Sequence, residues 1–175
     1  MNIRFFILLI LSNLTIACDE VSNTSKETKS TIFYLIRHAE KDRSDSKNQN
    51  PNLTPKGLER ANYWSSYFDT IQLSSVYTTD FNRTKQTIIP TCNLKNITPE
   101  IYSPNNINIQ KFIKKNKGKK VLISGHSNTT PAFVNKLINK EEFDDMNDFD
   151  NKSLFVVKIR NSNIDFEVRS APITN

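Results

Sequence analysis

An unbroken apolar run, Ile32–Ile36, ends abruptly in Arg37 and His38. Apolar residues that do not alternate with polar ones mark a strand covered on both faces, the kind found in parallel sheets packed between helices. Placing a guanidinium and an imidazole at the end of such a strand costs burial energy unless that end opens onto something that uses them. The rest of the chain has to supply both the helical covers and the reason for the charge.

It supplies the covers in alternation. Asp42–Asn52 is a polar loop, and Thr54-Pro55 then opens a helix with Thr as cap and Pro in the first turn. Leu58, Ala61, Trp64 and Phe68 follow at spacings that put them on one helical face. Ser75–Thr79 reads as a short strand, and Asn82–Ile89 as a helix stopped by Pro90. Ile97–Tyr102 reads as another strand, and Ile107–Lys115 as a short helix. Lys119–Ile123 is a second buried strand, running into Ser124-Gly125-His126. Thr130-Pro131 repeats the cap-and-proline start, with Phe133, Val134, Leu137 and Ile138 as the apolar stripe of the helix. Leu154–Ile159 and Ile164–Val168 form a closing strand pair around a turn at Asn161-Ser162-Asn163. Alternating strands and helices predict βαβ units, hence a three-layer α/β/α sandwich with a mainly parallel central sheet.

In such sheets ligands bind beyond the carboxyl ends of the strands. Arg37 and His38 stand at one strand end, Gly125 and His126 at another, and Arg83 in the first turn of the helix after a third. The chain has only 2 His, and both follow buried strands. One histidine so placed is ordinarily a structural residue; a matched pair with arginines beside it points to chemistry. Guanidinium forks hold phosphate oxygens and keep their charge. Imidazole titrates near neutrality and serves as nucleophile or proton carrier. Helix N-termini beside Arg83 and His126 add N–H donors for an anion. These parts describe a phosphoryl pocket with a nitrogen nucleophile, and leave open which histidine attacks.

The residues resemble the histidine phosphatase superfamily, the group that contains phosphoglycerate mutases. The resemblance rests on Arg37-His38-Ala39-Glu40, on Tyr77–Thr87 around Arg83, and on Ser124–Thr129 around His126, with Leu53–Gly57 as the helix-opening segment. It spans roughly Ile32–Phe155 and implies a phosphoglycerate mutase-like fold. It also implies that His38 attacks phosphorus and becomes phosphorylated, while Arg37, Arg83 and His126 bind the phosphoryl oxygens and stabilise the charge of transfer. The activity implied is metal-independent hydrolysis of phosphomonoesters, with no cofactor. The alternatives are a phosphohistidine-protein phosphatase, a mutase, and a non-catalytic module that binds phosphate through the arginines alone. A zinc site on the two histidines is disfavoured by the flanking cations.

The chain departs from the family in places. Longer members carry a catalytic Glu in an insertion after the second helix, and Thr91–Pro104 is too short to hold it. Asp80 and Glu100 are the candidates for the general acid, with Asp80 first because it adjoins the Arg83 segment; its other reading is a helix cap. Glu40 is expected to orient its neighbours or to pair with Lys41. Ser44 stands where mutase-type members carry an Asn. Cys92 reads as a small buried residue. Lys111–Lys120, with six lysines, and the acidic Glu141–Asp150 both read as solvated segments.

Composition bears mainly on the N-terminus. Met1–Arg4 carries one positive charge, Phe5–Leu11 is wholly apolar, and Cys18 follows Ala17. That is the layout of a signal segment, too short to span a bilayer. It resembles a bacterial lipoprotein signal over residues 1–17, with Cys18 as the lipidated site. Residues 18–30 form a polar tether, and residues 31–175 the phosphatase domain. The expected setting is therefore export and membrane anchoring through Cys18. The expected partner is a small phosphorylated substrate, without nucleic acid, acting on a monomer. The net charge of +6 is compatible with anionic ligands and says nothing of fold.

Overall fold

The computed structural model describes residues 29–171. Residues 1–28, including Cys18 and the signal and most of the tether, lie outside them. The elements are β1 (Thr31–Arg37), α1 (Pro55–Tyr67), β2 (Ser75–Thr78), α2 (Asn82–Lys95), β3 (Glu100–Ile101), α3 (Ile109–Lys115), β4 (Lys120–Gly125), α4 (Thr129–Ile138), β5 (Ser153–Arg160) and β6 (Asn163–Ser170). The six strands form one sheet in the order β3-β2-β4-β1-β5-β6. Pairing is parallel from β3 through β1 and antiparallel from β1 through β5 to β6.

The apolar run of β1 divides its side chains between the two faces. Phe33 and Leu35 pack with Val121 and Ile123 of β4 against Phe112 of α3 and Phe133, Val134 and Leu137 of α4. Tyr34 and Ile36 pack with Leu122 against Trp64 of α1, Phe68 at its C-terminal cap, and Ile88 and Cys92 of α2. Helices on both faces of a mainly parallel sheet make the three-layer α/β/α sandwich. Because Cβ atoms alternate along a strand, a continuous apolar run is what a two-faced core demands.

Local differences from expectation have local causes. Helix α2 runs past Pro90 to Lys95. Burial of Thr91 and Cys92 outweighs the single backbone hydrogen bond that proline removes, and Asn96 at φ 52° closes the helix in the left-handed region. The strand expected over Ile97–Tyr102 shrinks to β3, because its side chains are exposed and one parallel neighbour suffices. Helix α4 begins at Thr129, capped by Asn128, so Pro131 stands inside the first turn and not at its start. In α1 the cap at Thr54 and the proline are as expected. The buried face is Gly57, Arg60, Ala61 and Trp64, however, and Leu58 is exposed. Gly57 is required there: a Cβ would stand 2.2 Å from the Glu40 carbonyl oxygen.

Candidate active site

The parallel register places the ends of β1 and β4 side by side, Arg37 opposite Gly125 and Ile36 opposite Ser124. The His38 N–H donates to the Gly125 carbonyl at 3.0 Å, so the two chains leave the sheet together. Gly125 allows this closeness; a Cβ would meet Thr130 Oγ1 at 2.8 Å. Arg37, His38, Arg83, His126 and Asp80 all line one cavity of about 800 Å³ at this end of the sheet. The rings of His38 and His126 are 5.6 Å apart, centroid to centroid, at 65°.

His38 is set up as a nitrogen nucleophile. Its Nδ1 lies 2.7 Å from the Ala39 carbonyl oxygen. A carbonyl only accepts, so Nδ1 carries the proton and Nε2 keeps its lone pair. Asn151 Nδ2 donates to the His38 carbonyl, and the Ala39 N–H donates to Thr87 Oγ1, so the backbone on both sides is held. Burial, followed by the charges of Arg37, Arg83 and His126, depresses the His38 pKa from 6.5 to about 3 against the Ala39 hydrogen bond. The ring is neutral at physiological pH, as a nucleophile requires.

His126 is neutral for similar reasons: burial, then Arg83, Arg37 and Lys41, bring its pKa to about 4. Arg83 Nη2 lies 3.4 Å from Nδ1 and can only donate, so Nδ1 accepts and Nε2–H donates to Thr79 Oγ1 at 2.9 Å. The Thr79 hydroxyl can donate as well as accept. If Arg83 turns to an anion, Nδ1 is released, and either tautomer of His126 keeps its bond to Thr79. Arg83 also stacks on Phe81, 4.4 Å from the ring centroid, which fixes its plane.

Arg37 is 1 % exposed yet charged. It donates through Nη1 to the Asn147 carbonyl at 2.9 Å and through Nη2 to Asp148 Oδ1 at 2.5 Å. Arg43 holds the other carboxylate oxygen of Asp148 at 2.7 Å. Burial alone would raise the Asp148 pKa; the Arg43 hydrogen bond and the charges of Arg37, Arg43 and Lys41 lower it overall. Asp148 also lines the cavity. It lies in the acidic segment read as solvated, and nothing local in the sequence singles it out. Arg37 Nε and Arg83 Nε are buried without a hydrogen-bond partner among the described residues. Two orphaned guanidinium donors beside a neutral imidazole suit an oxyanion.

The expected acids fare differently. Asp80 lines the cavity, but it is 76 % exposed and paired with Lys85 Nζ at 2.9 Å. It does not cap α2, whose cap position is Phe81. Glu100 lies outside this cavity, on β3, paired with Lys115 at 2.5 Å. Glu40 binds Arg60 of α1 through both oxygens, at 2.7–3.0 Å, and does not pair with Lys41. That bond ties the exit of β1 to α1. Ser44 is exposed and does not line the cavity. Lys41 does line it, and burial and then Arg43 lower its pKa. Cys92 is buried, with its thiol pushed up to about 11 by burial, so it is no nucleophile. Among the described residues no group of three His, Cys, Asp or Glu is placed to hold a metal ion.

Residues 33–103 match the family model of the histidine phosphatase superfamily (branch 1). That segment carries Arg37, His38, Asp80 and Arg83; His126 lies beyond it. The fold is similar to that of the protein histidine phosphatase SixA complexed with tungstate, at TM-score 0.62 and 14% identity, covering 79% of this chain and 96% of that one. It is similar to mycobacterial glucosyl-3-phosphoglycerate phosphatase, at 0.62 and 9%, covering 82% and 99%. It is also similar to phosphoglycerate mutase from Bacillus anthracis, at 0.58 and 11%, covering 83% and 94%. No curated protein matches the chain in sequence.

Proposed function

We propose, from the match of residues 33–103 to the model of the histidine phosphatase superfamily (branch 1), that the chain is a member of that superfamily and hydrolyses phosphomonoesters through a phosphohistidine on His38. One observation carries the reading: the free Nε2 lone pair of a neutral, buried His38 in a cavity shared with Arg37, Arg83 and His126. Nε2 attacks phosphorus as the bond to the leaving oxygen breaks. The guanidinium donors and His126 stabilise the charge spread over the equatorial oxygens. A water then attacks the phosphohistidine, returning the ring and releasing phosphate. Fixed positive charge replaces a divalent ion in this scheme. The test is a labelling experiment: a phosphoenzyme that is acid-labile and base-stable, absent in His38→Ala. Turnover that disappears in EDTA and returns with zinc would reject the mechanism.

A second reading is favoured by the state of the carboxylates. Asp80 and Asp148, the acids lining the cavity, are both ion-paired with cations. Neither is set up to protonate an alkoxide. Phosphoryl groups on leaving groups that need little proton help, such as the imidazole of a phosphohistidine protein, fit such a site. Comparing turnover of a phosphohistidine substrate with that of an alkyl phosphate separates the two readings. We also propose that the enzyme is exported and held at a membrane by lipid on Cys18. Unchanged fractionation and processing of Cys18→Ser would reject that.

A further inference from the structure

The end of the sheet opposite the pocket is also basic, and nothing in the catalytic reading uses it. Along β4 from Gly125 back to Lys120 the sheet runs about 16 Å at the usual strand rise. There the turn between α3 and β4 gathers Lys114, Lys115, Lys117, Lys119 and Lys120. Lys114, Lys115 and Lys117 are exposed, and Lys119 and Lys120 partly so. Only Lys115 is paired with a carboxylate, that of Glu100, among the described residues. The remaining ammonium groups stand on long stems at one end of the molecule.

The same place receives the N-terminal segment. The Gly118 N–H donates to Thr31 Oγ1 at 2.9 Å, and the Ile32 N–H donates to the Lys119 carbonyl at 2.9 Å. A Cβ built on Gly118 would stand 3.5 Å from the Lys29 side chain. The chain that carries the apolar stretch Phe5–Leu11 and Cys18 therefore enters the fold against the lysine turn, with exposed Lys29 adding to it.

We infer that this lysine-bearing end is a docking surface for an anionic lipid bilayer, and that it holds the catalytic pocket facing away from the membrane. Three observations carry the choice of partner. Lysines dominate the surface there, with Glu100 the carboxylate paired to one of them, which suits lipid phosphates spread over a plane. The turn lacks the aromatic platforms that single-stranded nucleic acid stacks on. And the segment with the apolar and lipidation features joins the fold at this spot. Each lysine held near an anionic surface strengthens association about fivefold, within roughly a Debye length of the headgroups. A lipid on Cys18 would tether the domain without orienting it; the lysine face orients it. The inference needs no lipidation and does not rest on the phosphatase reading.

The experiment uses the full chain with vesicles of phosphatidylcholine alone or with added phosphatidylglycerol. Lysine reactivity toward a water-soluble acylating reagent is read residue by residue by mass spectrometry. The expected result is protection of Lys114, Lys117 and Lys119 by the anionic vesicles only, reversed by high salt, while Lys47 beyond the pocket end of β1 stays reactive. The variant with Lys114→Gln, Lys117→Gln and Lys119→Gln should lose about 10² in its preference for anionic over neutral vesicles. It should keep the circular-dichroism spectrum and thermal midpoint of the parent chain, which reports that it folds. Equal reactivity in both vesicles, or protection of Lys47 instead, overturns the inference. Protection by an oligonucleotide at a salt concentration where anionic vesicles give none assigns the surface to nucleic acid and overturns it too.

Discussion

Both ends of the central sheet carry clustered cations, and only one of them forms the candidate active site. At the carboxyl end Arg37 is buried, its guanidinium is held by a carbonyl and a carboxylate, and after burial its charge helps to depress two histidines. At the amino end the lysines are exposed or half-exposed on long stems, and their fields are screened within about 10 Å. The medium around the cations differs. Burial turns cations into fixed electrostatic partners for a developing oxyanion, whereas exposure leaves them a diffuse attraction.

The sharpest way to break the comparison is at His38. His38→Ala should lower turnover by roughly 10⁶, as loss of a nucleophile does when catalytic groups act as a unit. Stopped and steady-state assays should both show it, and phosphoenzyme should vanish. Survival of labelling would move the nucleophile elsewhere. His126→Ala should cost about 10²–10³ in turnover and still allow phosphoenzyme to form, because one donor to the anion is lost and the nucleophile is kept.

Asp148→Asn should act in the opposite direction on binding. The carboxylate occupies Arg37 and Arg43 in the free protein. Removing its charge frees those donors, so inorganic phosphate should inhibit several-fold more tightly, consistent with a change of about 1 kcal/mol in a charged hydrogen bond. Weaker inhibition would mean that Asp148 serves to aim Arg37.

Acid should reveal the two histidines through stability. Their folded pKa values lie below the unfolded 6.5, at about 3 for His38 and about 4 for His126. Between those values the unfolded chain binds more protons, so stability falls as pH drops from about 6.5 toward 4 and levels off near 3. His126→Gln should flatten part of that slope in chemical unfolding measured across pH; an unchanged slope would show that other groups dominate. The smallest effect belongs to the lysine end: the triple glutamine variant should leave turnover in solution within about twofold, as surface changes away from the site do.

Much of the site was legible because strand ends are legible. An apolar run has one direction and one end, and parallel register brings the ends of β1 and β4 together without help from distant loops. The acids were not legible. Asp80 and Glu100 adjoin the right segments, yet each met a lysine at the surface first. Glu40 sits two residues from His38 and found Arg60 on α1, twenty residues on.

The sequence by itself determined the layered α/β architecture and the placing of Arg37, His38, Arg83 and His126 at one end of the sheet, since periodicity and strand-end position are local properties that burial enforces. Tertiary structure decided which carboxylate faces the cations. Asp148 reaches Arg37 from 111 residues away, and only the return of the loop between α4 and β5 to the carboxyl end of the sheet brings them together. An ion pair of that kind depends on side-chain reach and on the dielectric around it. Both are set by the packed surroundings, which no local pattern encodes.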